Sequence, residues 1–442
     1  MHIFDILLNL TVRKRIITCN GALYGSLLFV KKGIALSVVE FIEGGVTAPQ
    51  GFLACGIHAG FRPDPERLDA ALVVSEAEQT VAAGMFTQNV FCAAPVTLSR
   101  QVASSGKARA VIINSGIANA ATGDEGYARA QEGQRVCAQA LELDPAEVFI
   151  GSTGVIGQQL EMEPYHTGLP LMVDALAATP EASHNAARAI MTTDTVPKEF
   201  AVEFEAQGVV YKIGGISKGS GMIMPNMATM LAVITTDAPA SAAACKAALR
   251  HAVDNSFNTI TVDGDTSTND SVFMLANGVA GGETIEPGTE AFDAFAQALR
   301  VLCEALARKM ASDGEGATKL VTVIVRGAAS EQDADTAART VANSPLVKTA
   351  IAGHDCNWGR VAAALGRSGV AFKQENVNID MLGMPVLRAG LPCGFDEDEA
   401  LRRFEQDEIV IEASLGEGEC SARIWTCDMT HEYISINGDY RS

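Results

Sequence analysis

One segment constrains the fold and chemistry of this chain more than any other. It is Gly-rich and leads directly into an apolar strand pattern. Residues 218–237 read KGSGMIMPNMATMLAVITTD, and the run after Thr229 is typical of a buried strand. Cleavage of the Ala228–Thr229 bond would leave Thr229 with both a hydroxyl and an α-amine, the parts of an N-terminal nucleophile. That amine has an unperturbed pKa of roughly 7.7–8.0, which suits a general base near neutral pH. Most Thr residues at a strand start simply suit a pleated sheet, so the pattern alone leaves both interpretations open.

Composition narrows the class of protein. The chain has 442 residues, 48% of them hydrophobic, and can therefore bury a large core in more than one lobe. A formal net charge of −20 argues against a nucleic-acid partner, because phosphate binding requires a basic face. No apolar run reaches the roughly 18 residues of a membrane helix, so no membrane partner is expected.

The cysteines do not form a metal-binding pattern. Ten are scattered along the chain without a C-x-x-C pair, and the histidines do not cluster with them. Asp263-Gly264-Asp265 lacks the remaining ligands of a calcium loop. We therefore expect no metal site, and reduced thiols in a cytoplasmic protein.

Residues 1–40 differ in character from the rest, because basic side chains outnumber acidic ones there. One interpretation is an extension upstream of the catalytic fold, which we favour. A transit peptide is the second, and it would place the protein in an organelle instead of the cytoplasm. A secretory signal is disfavoured because Arg13–Arg15 interrupt the apolar region.

Strand and helix patterns alternate beyond residue 43 without regular βαβ repetition, which favours an α+β fold built in layers. The predicted helices are 124–143, 181–191, 241–253 with Ser241 as N-cap, and 290–310. The predicted strands are 71–76, 108–116, 230–235, a pair at 259–264 and 271–278, and then 319–328, 375–382, 408–416, 420–429 and 432–438. Residues 147–157 are predicted as a strand that runs into a Gly-rich loop.

Gly151-Ser152-Thr153-Gly154 follows one of these strands. Small residues allow backbone N–H groups to converge on one point, and a Thr hydroxyl adds a further donor, as a developing oxyanion requires. An ordinary glycine turn explains the same four residues. The spacing alone leaves both interpretations open.

Several ordered blocks resemble the ornithine acetyltransferase / glutamate N-acetyltransferase family of arginine biosynthesis. The blocks are 43–60, 114–123, 151–158, 191–198, KGSGMIMPNMATML at 218–231, 261–270, 312–320 and 357–366. The resemblance implies a layered α-β-β-α sandwich like that of N-terminal nucleophile hydrolases, with a smaller C-terminal α/β lobe from about residue 320. It also implies an α chain of residues 41–228 and a β chain of residues 229–442, associated as α₂β₂.

The same resemblance implies roles for individual residues. Thr229 is the nucleophile after self-cleavage at Ala228–Thr229, and Thr153 and Gly154 form the oxyanion hole. The implied substrate-binding residues are Thr192, Lys218, Thr229, Glu315, Asn437 and Ser442. A Lys suits a carboxylate, an acid suits the amine of ornithine, and the chain terminus is implied to return to the site.

The implied activity is acetyl transfer from N-acetylornithine to glutamate without a cofactor. Whether acetyl-CoA also serves as acetyl donor stays open, as does an amidase or aminopeptidase in which water replaces glutamate. A third hypothesis is an uncleaved binding protein. The chain departs from the family pattern at Ile117 and Ala121, where Asn and Cys are usual, and at Cys356, where Pro is usual. Ile117 bears on substrate preference because it lies near the oxyanion loop.

Overall fold

The computed structural model describes residues 16–19, 22–25, 30–31, 34–35, 38–224 and 230–439. Near the N-terminus, two short antiparallel pairs are present. The strands are β1 (Ile16–Cys19) with β2 (Ala22–Gly25), and β3 (Val30–Lys31) with β4 (Ile34–Ala35).

Two sheets form the centre of the fold. The first has the order β10-β9-β7-β6 and is antiparallel except for the β9–β10 pair. Its strands are β6 (Phe52–Ile57), β7 (Ala70–Ser75), β9 (Ala110–Ile117) and β10 (Val148–Val155). The second sheet has the order β5-β11-β12-β13-β14-β8, and only β13 and β14 run parallel. Its strands are β5 (Val39–Ile42), β8 (Val81–Phe86), β11 (Lys198–Ala206), β12 (Val209–Lys218), β13 (Leu231–Thr236) and β14 (Ser271–Ala276).

The two sheets pack face to face. Val73, Ile113 and Phe149 of the first sheet belong to one buried cluster with Val233 and Phe273 of the second. Strand β13 is buried at every position, which explains why its sequence is a continuous apolar run without alternation.

Helices cover both outer faces, so the predicted α-β-β-α sandwich is confirmed. Helices α2 and α3 cover the first sheet, α5 and α6 cover the second, α1 packs along β8 and β10, and α4 joins the cluster between the sheets. The helices are α1 (Ala94–Ser105), α2 (Gly123–Ala140), α3 (Glu163–Asp174), α4 (Pro180–Ala189), α5 (Ala242–Asp254) and α6 (Glu290–Ser312). The predicted N-cap is present, because the Ser241 side chain accepts a hydrogen bond from the amide of Ala244.

A third sheet with its own buried core follows in the chain, in the order β18-β17-β16-β19-β15-β20. Its strands are β15 (Leu320–Ala328), β16 (Asn378–Met381), β17 (Met384–Arg388), β18 (Leu391–Pro392), β19 (Glu408–Ser414) and β20 (Cys420–Cys427). The accompanying helices are α7 (Glu331–Ala342), α8 (Pro345–Ala352), α9 (Trp358–Gly366) and α10 (Glu397–Arg403). The division into an extension and two chains stays a prediction.

Two strand predictions were wrong. Residues 432–438, predicted as a strand, lie within helix α11 (His431–Asp439). The helix places Tyr433 and Asn437, four residues apart, on one face toward a loop of the site. Residues 259–264 do not pair with 271–278, because β13 and β8 already occupy both sides of β14. In their place, Ile260 forms an isolated bridge with Trp425.

Among the described residues, no helix combines the length and apolar character needed to cross a membrane.

Candidate active site

Thr153 and Gly154 lie at the carboxyl end of β10, within the strand and not in the loop predicted after it. The parallel register places them opposite Ser115 and Gly116 of β9. The φ angle of Gly154 is +133°, and a Cβ at this position would overlap the carbonyl group of Gly116. Position 154 therefore requires glycine both for its conformation and for the close approach of the neighbouring strand.

Gly154→Ala tests whether the close contact between Gly154 and Gly116 positions the end of β10. We expect the strained backbone to cost roughly 1–3 kcal/mol, and the backbone clash to displace the Thr153 and Gly154 amides and remove most activity. Gly157→Ala is the matched control, since Gly157 also has a positive φ of 84° but no atom lies within 4 Å of where its Cβ would be. Thermal unfolding and steady-state rates compare the two. Equal effects of both substitutions would contradict the assigned contact.

Asn269 links the end of β10 to the segment that follows Thr229. Its buried amide nitrogen Nδ2 donates to the carbonyl of Ser152 at 2.8 Å and to that of Ala118 at 2.6 Å. Two residues later, the amide of Ser271 donates to the carbonyl of Met230 at 2.8 Å. The candidate oxyanion donors therefore lie beside the start of β13. Sequence reasoning did not select Asn269, although it lies in the 261–270 block.

Lys218 and Glu315 are brought together at the end of β12. Lys218 is the last residue of that strand, opposite Leu231 of β13, and is 9% exposed. The amide of Glu315 donates to the carbonyl of Ser220 at 3.0 Å. A Cβ on Gly221 would overlap both carboxylate oxygens of Glu315. The Glu315 carboxylate therefore packs directly on the loop after Lys218. A buried cation and a buried anion thus flank one loop.

Burial lowers the pKa of the Lys218 ammonium below its ordinary value. Asp194 is the strongest of the charges that oppose this shift, and Glu315 and Asp270 act in the same direction. In the part of the chain that the structure describes, no carboxylate is within ion-pair distance of Lys218, whereas Lys198 has two. A buried ammonium of this kind can bind an anion as a point charge.

Helix α11 reaches the same loop from the C-terminal side. Asn437 Nδ2 donates to Glu315 Oε2 at 2.7 Å. The Tyr433 hydroxyl donates to Asp263 Oδ2 at 3.4 Å, and burial followed by the Asp263 charge raises the pKa of Tyr433. A Cβ on Gly316 would lie 2.6 Å from the Tyr433 amide nitrogen, so the helix packs closely against the Glu315 loop. Of the predicted C-terminal ligands, Asn437 is placed at the site.

Arg62, another residue that sequence reasoning did not select, connects Met191, the residue before Thr192, to strand β9. Arg62 Nη2 donates to the carbonyl of Met191 at 2.8 Å, and its Nε donates to Ser115 Oγ at 3.2 Å. The buried carboxylate of Asp69 accepts the Arg62 amide at 2.9 Å and so fixes the turn. The Thr192 amide donates to Asp194 Oδ2 at 3.0 Å.

Three of the predicted positions, Ala228, Thr229 and Ser442, lie outside the described residues. Met230, which follows Thr229, is 2% exposed and is the nearest described residue on its C-terminal side. Within the described ranges, no group of three or more His, Cys, Asp or Glu side chains is placed to hold a metal ion.

Comparison with known proteins identifies the family. The profile of the ArgJ family matches residues 53–442, which is most of the chain. The chain belongs to the ArgJ family. This confirms the family resemblance that the sequence blocks carried.

Curated relatives agree with this assignment over nearly their whole lengths. The arginine biosynthesis bifunctional protein ArgJ of Symbiobacterium thermophilum is 49% identical over 405 residues, covering 91% of this chain and 100% of the relative. The protein of the same name from Dehalococcoides mccartyi is 45% identical, covering 90% and 97%. A chloroplastic protein of that name from Oryza sativa subsp. indica is 45% identical, covering 90% and 88%.

Solved structures include two similar chains. One belongs to the arginine biosynthesis bifunctional protein ArgJ of Bacillus halodurans, with 42% identity and a TM-score of 0.45, covering 47% of this chain and 97% of that one. The other belongs to the ornithine acetyltransferase of Mycobacterium tuberculosis in complex with ornithine. It has 39% identity and a TM-score of 0.40, covering 42% of this chain and 98% of that one.

Proposed function

We propose that this member of the ArgJ family transfers an acetyl group from N²-acetyl-L-ornithine to L-glutamate. The observation that carries the proposal is that Lys218 and Glu315 flank one loop at the end of β12, where Lys218 lies opposite Leu231 of β13. Asn269 and Ser271 link the start of β13 to the strand end that bears Thr153 and Gly154. A cation and an anion at fixed positions suit an amino acid, whose carboxylate and amine carry the opposite charges. The names of the curated relatives, which place them in arginine biosynthesis, favour the same substrates.

The chemistry proceeds in two half-reactions. The α-amine of Thr229, exposed by cleavage, takes the proton of the Thr229 hydroxyl while the oxygen attacks the acetyl carbonyl. The tetrahedral oxyanion is stabilised by donors from Thr153 and Gly154. Collapse breaks the C–N bond, and the amine of ornithine leaves with the proton held by the Thr229 amine. The amine of glutamate then attacks the acetyl-Thr229 ester and reverses these steps.

Both amino acids use the same pocket in turn. Lys218 attracts a substrate carboxylate as a point charge, and Glu315 attracts the side-chain amine of ornithine. Asn437 holds Glu315 by a 2.7 Å hydrogen bond. Thr192, whose amide is bonded to Asp194, is a further substrate ligand in this proposal. Ser442 is the remaining substrate ligand in this proposal.

The proposal includes self-cleavage at Ala228–Thr229 and association of the two resulting chains as α₂β₂. It needs no cofactor. The word "bifunctional" in the names of the relatives favours acetyl-CoA as a second acetyl donor, which would enter by acylating the same Thr229.

One assay separates the hypotheses. Purified protein is incubated with N-acetylornithine and glutamate, and N-acetylglutamate, ornithine and free acetate are measured. Equal amounts of acetylglutamate and ornithine are expected, whereas acetate in place of acetylglutamate would indicate an amidase. A parallel reaction with acetyl-CoA as the sole donor tests the second activity.

A single 46.4 kDa band on a denaturing gel, in place of two fragments of nearly equal size, would exclude the proposed mechanism.

A further inference from the structure

A buried cluster of three charges lies directly behind the Lys218 loop. Lys198 Nζ lies 2.6 Å from Asp194 Oδ1 and 2.6 Å from Asp313 Oδ2. The side chains of Asp194 and Lys198 are fully buried, and that of Asp313 is 7% exposed. We call these residues the 194–198–313 cluster. Burying charges costs free energy even when they are paired, so the ion pairs of such a cluster are weak evidence for a role in stability alone.

The cluster is bonded to the loop that carries the substrate-binding charges. Asp194 Oδ1 also accepts the amide of Gly219, the residue after Lys218, at 2.7 Å. The Ser220 hydroxyl donates to the carbonyl of Asp313 at 2.7 Å. The carbonyl of Ser220 in turn accepts the amide of Glu315. The cluster therefore fixes the backbone position of the loop that carries Lys218 at one end and contacts Glu315 at the other.

Two carboxylates and one ammonium leave the cluster with a net charge of −1. Lys218 is the buried cation next to it, and the charges that act on Lys218 are Asp194, Lys198, Asp270 and Glu315. A single acid would already neutralise Lys198, and the second supplies the negative charge that a buried ammonium requires. Asp194 is the acid whose carboxylate contacts the Lys218 loop. The Asp313 carboxylate bonds Thr195 and Lys198, and only its backbone carbonyl bonds the loop.

We propose that Asp194 is a positioning residue for acetyl transfer, which fixes the Gly219 amide and keeps Lys218 charged for a substrate carboxylate. This inference rests on the proposed function of the site. It assigns Asp194 a role in the reaction, although its side chain has no contact with solvent and need not touch the substrate.

The role predicts a change in pH dependence. Lys218 binds a carboxylate only below its own pKa, so kcat/KM falls as the pH rises through that pKa. Burial already lowers the pKa, and loss of Asp194 lowers it further because its charge opposes the effect of burial. Asp194→Asn should therefore move the alkaline limb of kcat/KM for glutamate to lower pH, by about one unit or more. The acid limb, which reports the Thr229 amine, should stay where it is.

Asp313→Asn is the matched control, because it removes the same charge from the same cluster without touching the Gly219 amide. We expect a clearly smaller shift of the alkaline limb in that variant. If both variants only lose activity at every pH, with the limb unmoved, the cluster is purely structural and the proposal is overturned.

Asp194→Glu covers the case in which Asp194→Asn does not fold. It keeps the charge, so the alkaline limb should stay near its wild-type pH even if KM rises. A limb displaced to lower pH in Asp194→Glu would overturn the proposal. Wild-type enzyme without acetyl transfer would instead refute the proposed function, which keeps the two failures distinct.

Discussion

Replacing Thr229 with Ala is expected to leave a single uncleaved chain without acetyl-transfer activity. The hydroxyl is needed to attack the preceding peptide bond, and afterwards to carry the acetyl group. Without cleavage, the α-amine that serves as general base is not formed either. A denaturing gel and the acetylglutamate assay measure the two losses on one preparation.

Thr229→Ser is the matched control, since it keeps the oxygen and removes only a methyl group. It should still cleave, at a reduced rate, and the cleaved fraction should transfer acetyl. Two fragments of wild-type size from Thr229→Ala would mean that another protease cuts the chain. That result would remove Thr229 from the cleavage mechanism.

Thr153→Ala should reduce kcat by about 10²–10³-fold, equivalent to roughly 3–4 kcal/mol of transition-state stabilisation. The lost donor acts on charge that develops only in the transition state, so the KM for acetylornithine should change little. Steady-state kinetics on fully cleaved protein measure both constants. A variant with wild-type kcat would show that Thr153 does not serve the oxyanion.

Ser99→Ala separates this effect from a general weakening of the same strand. The Ser99 hydroxyl is buried and donates to the carbonyl of Ile150 in β10 at 2.7 Å, three residues before Thr153. Its loss should lower the free energy of unfolding by about 1–3 kcal/mol, with kcat near that of the wild type. A comparable loss of kcat in Ser99→Ala would assign the Thr153 effect to the strand and not to the donor.

Local pattern determined most of the secondary structure. The continuous apolar run after Thr229 became the fully buried strand β13, the spacing of apolar residues over 290–310 became α6, and Ser241 caps α5 as predicted. These features depend on residues close together in the chain, because hydrophobic period and capping act within one element. The sequence blocks also identified the family, and through it the candidate residues of the site.

Only the tertiary structure decided the features that depend on distant partners. Local pattern favoured a strand at 432–438, but residues 431–439 form a helix whose Tyr433 and Asn437 contact Asp263 and Glu315, more than a hundred residues away in the chain. Thr153 and Gly154 remain in a strand because β9 continues beside them.

The charges behind the site also depend on partners that are distant in the chain. Asp194 and Lys198 lie four residues apart in the chain, but only the fold brings Asp313 to the same ammonium. Asn269 bonds Ser152 in β10 and Ala118 just after β9, and it lies more than a hundred residues from both of these acceptors. A buried polar group must find partners wherever the chain supplies them, and local sequence does not contain that information.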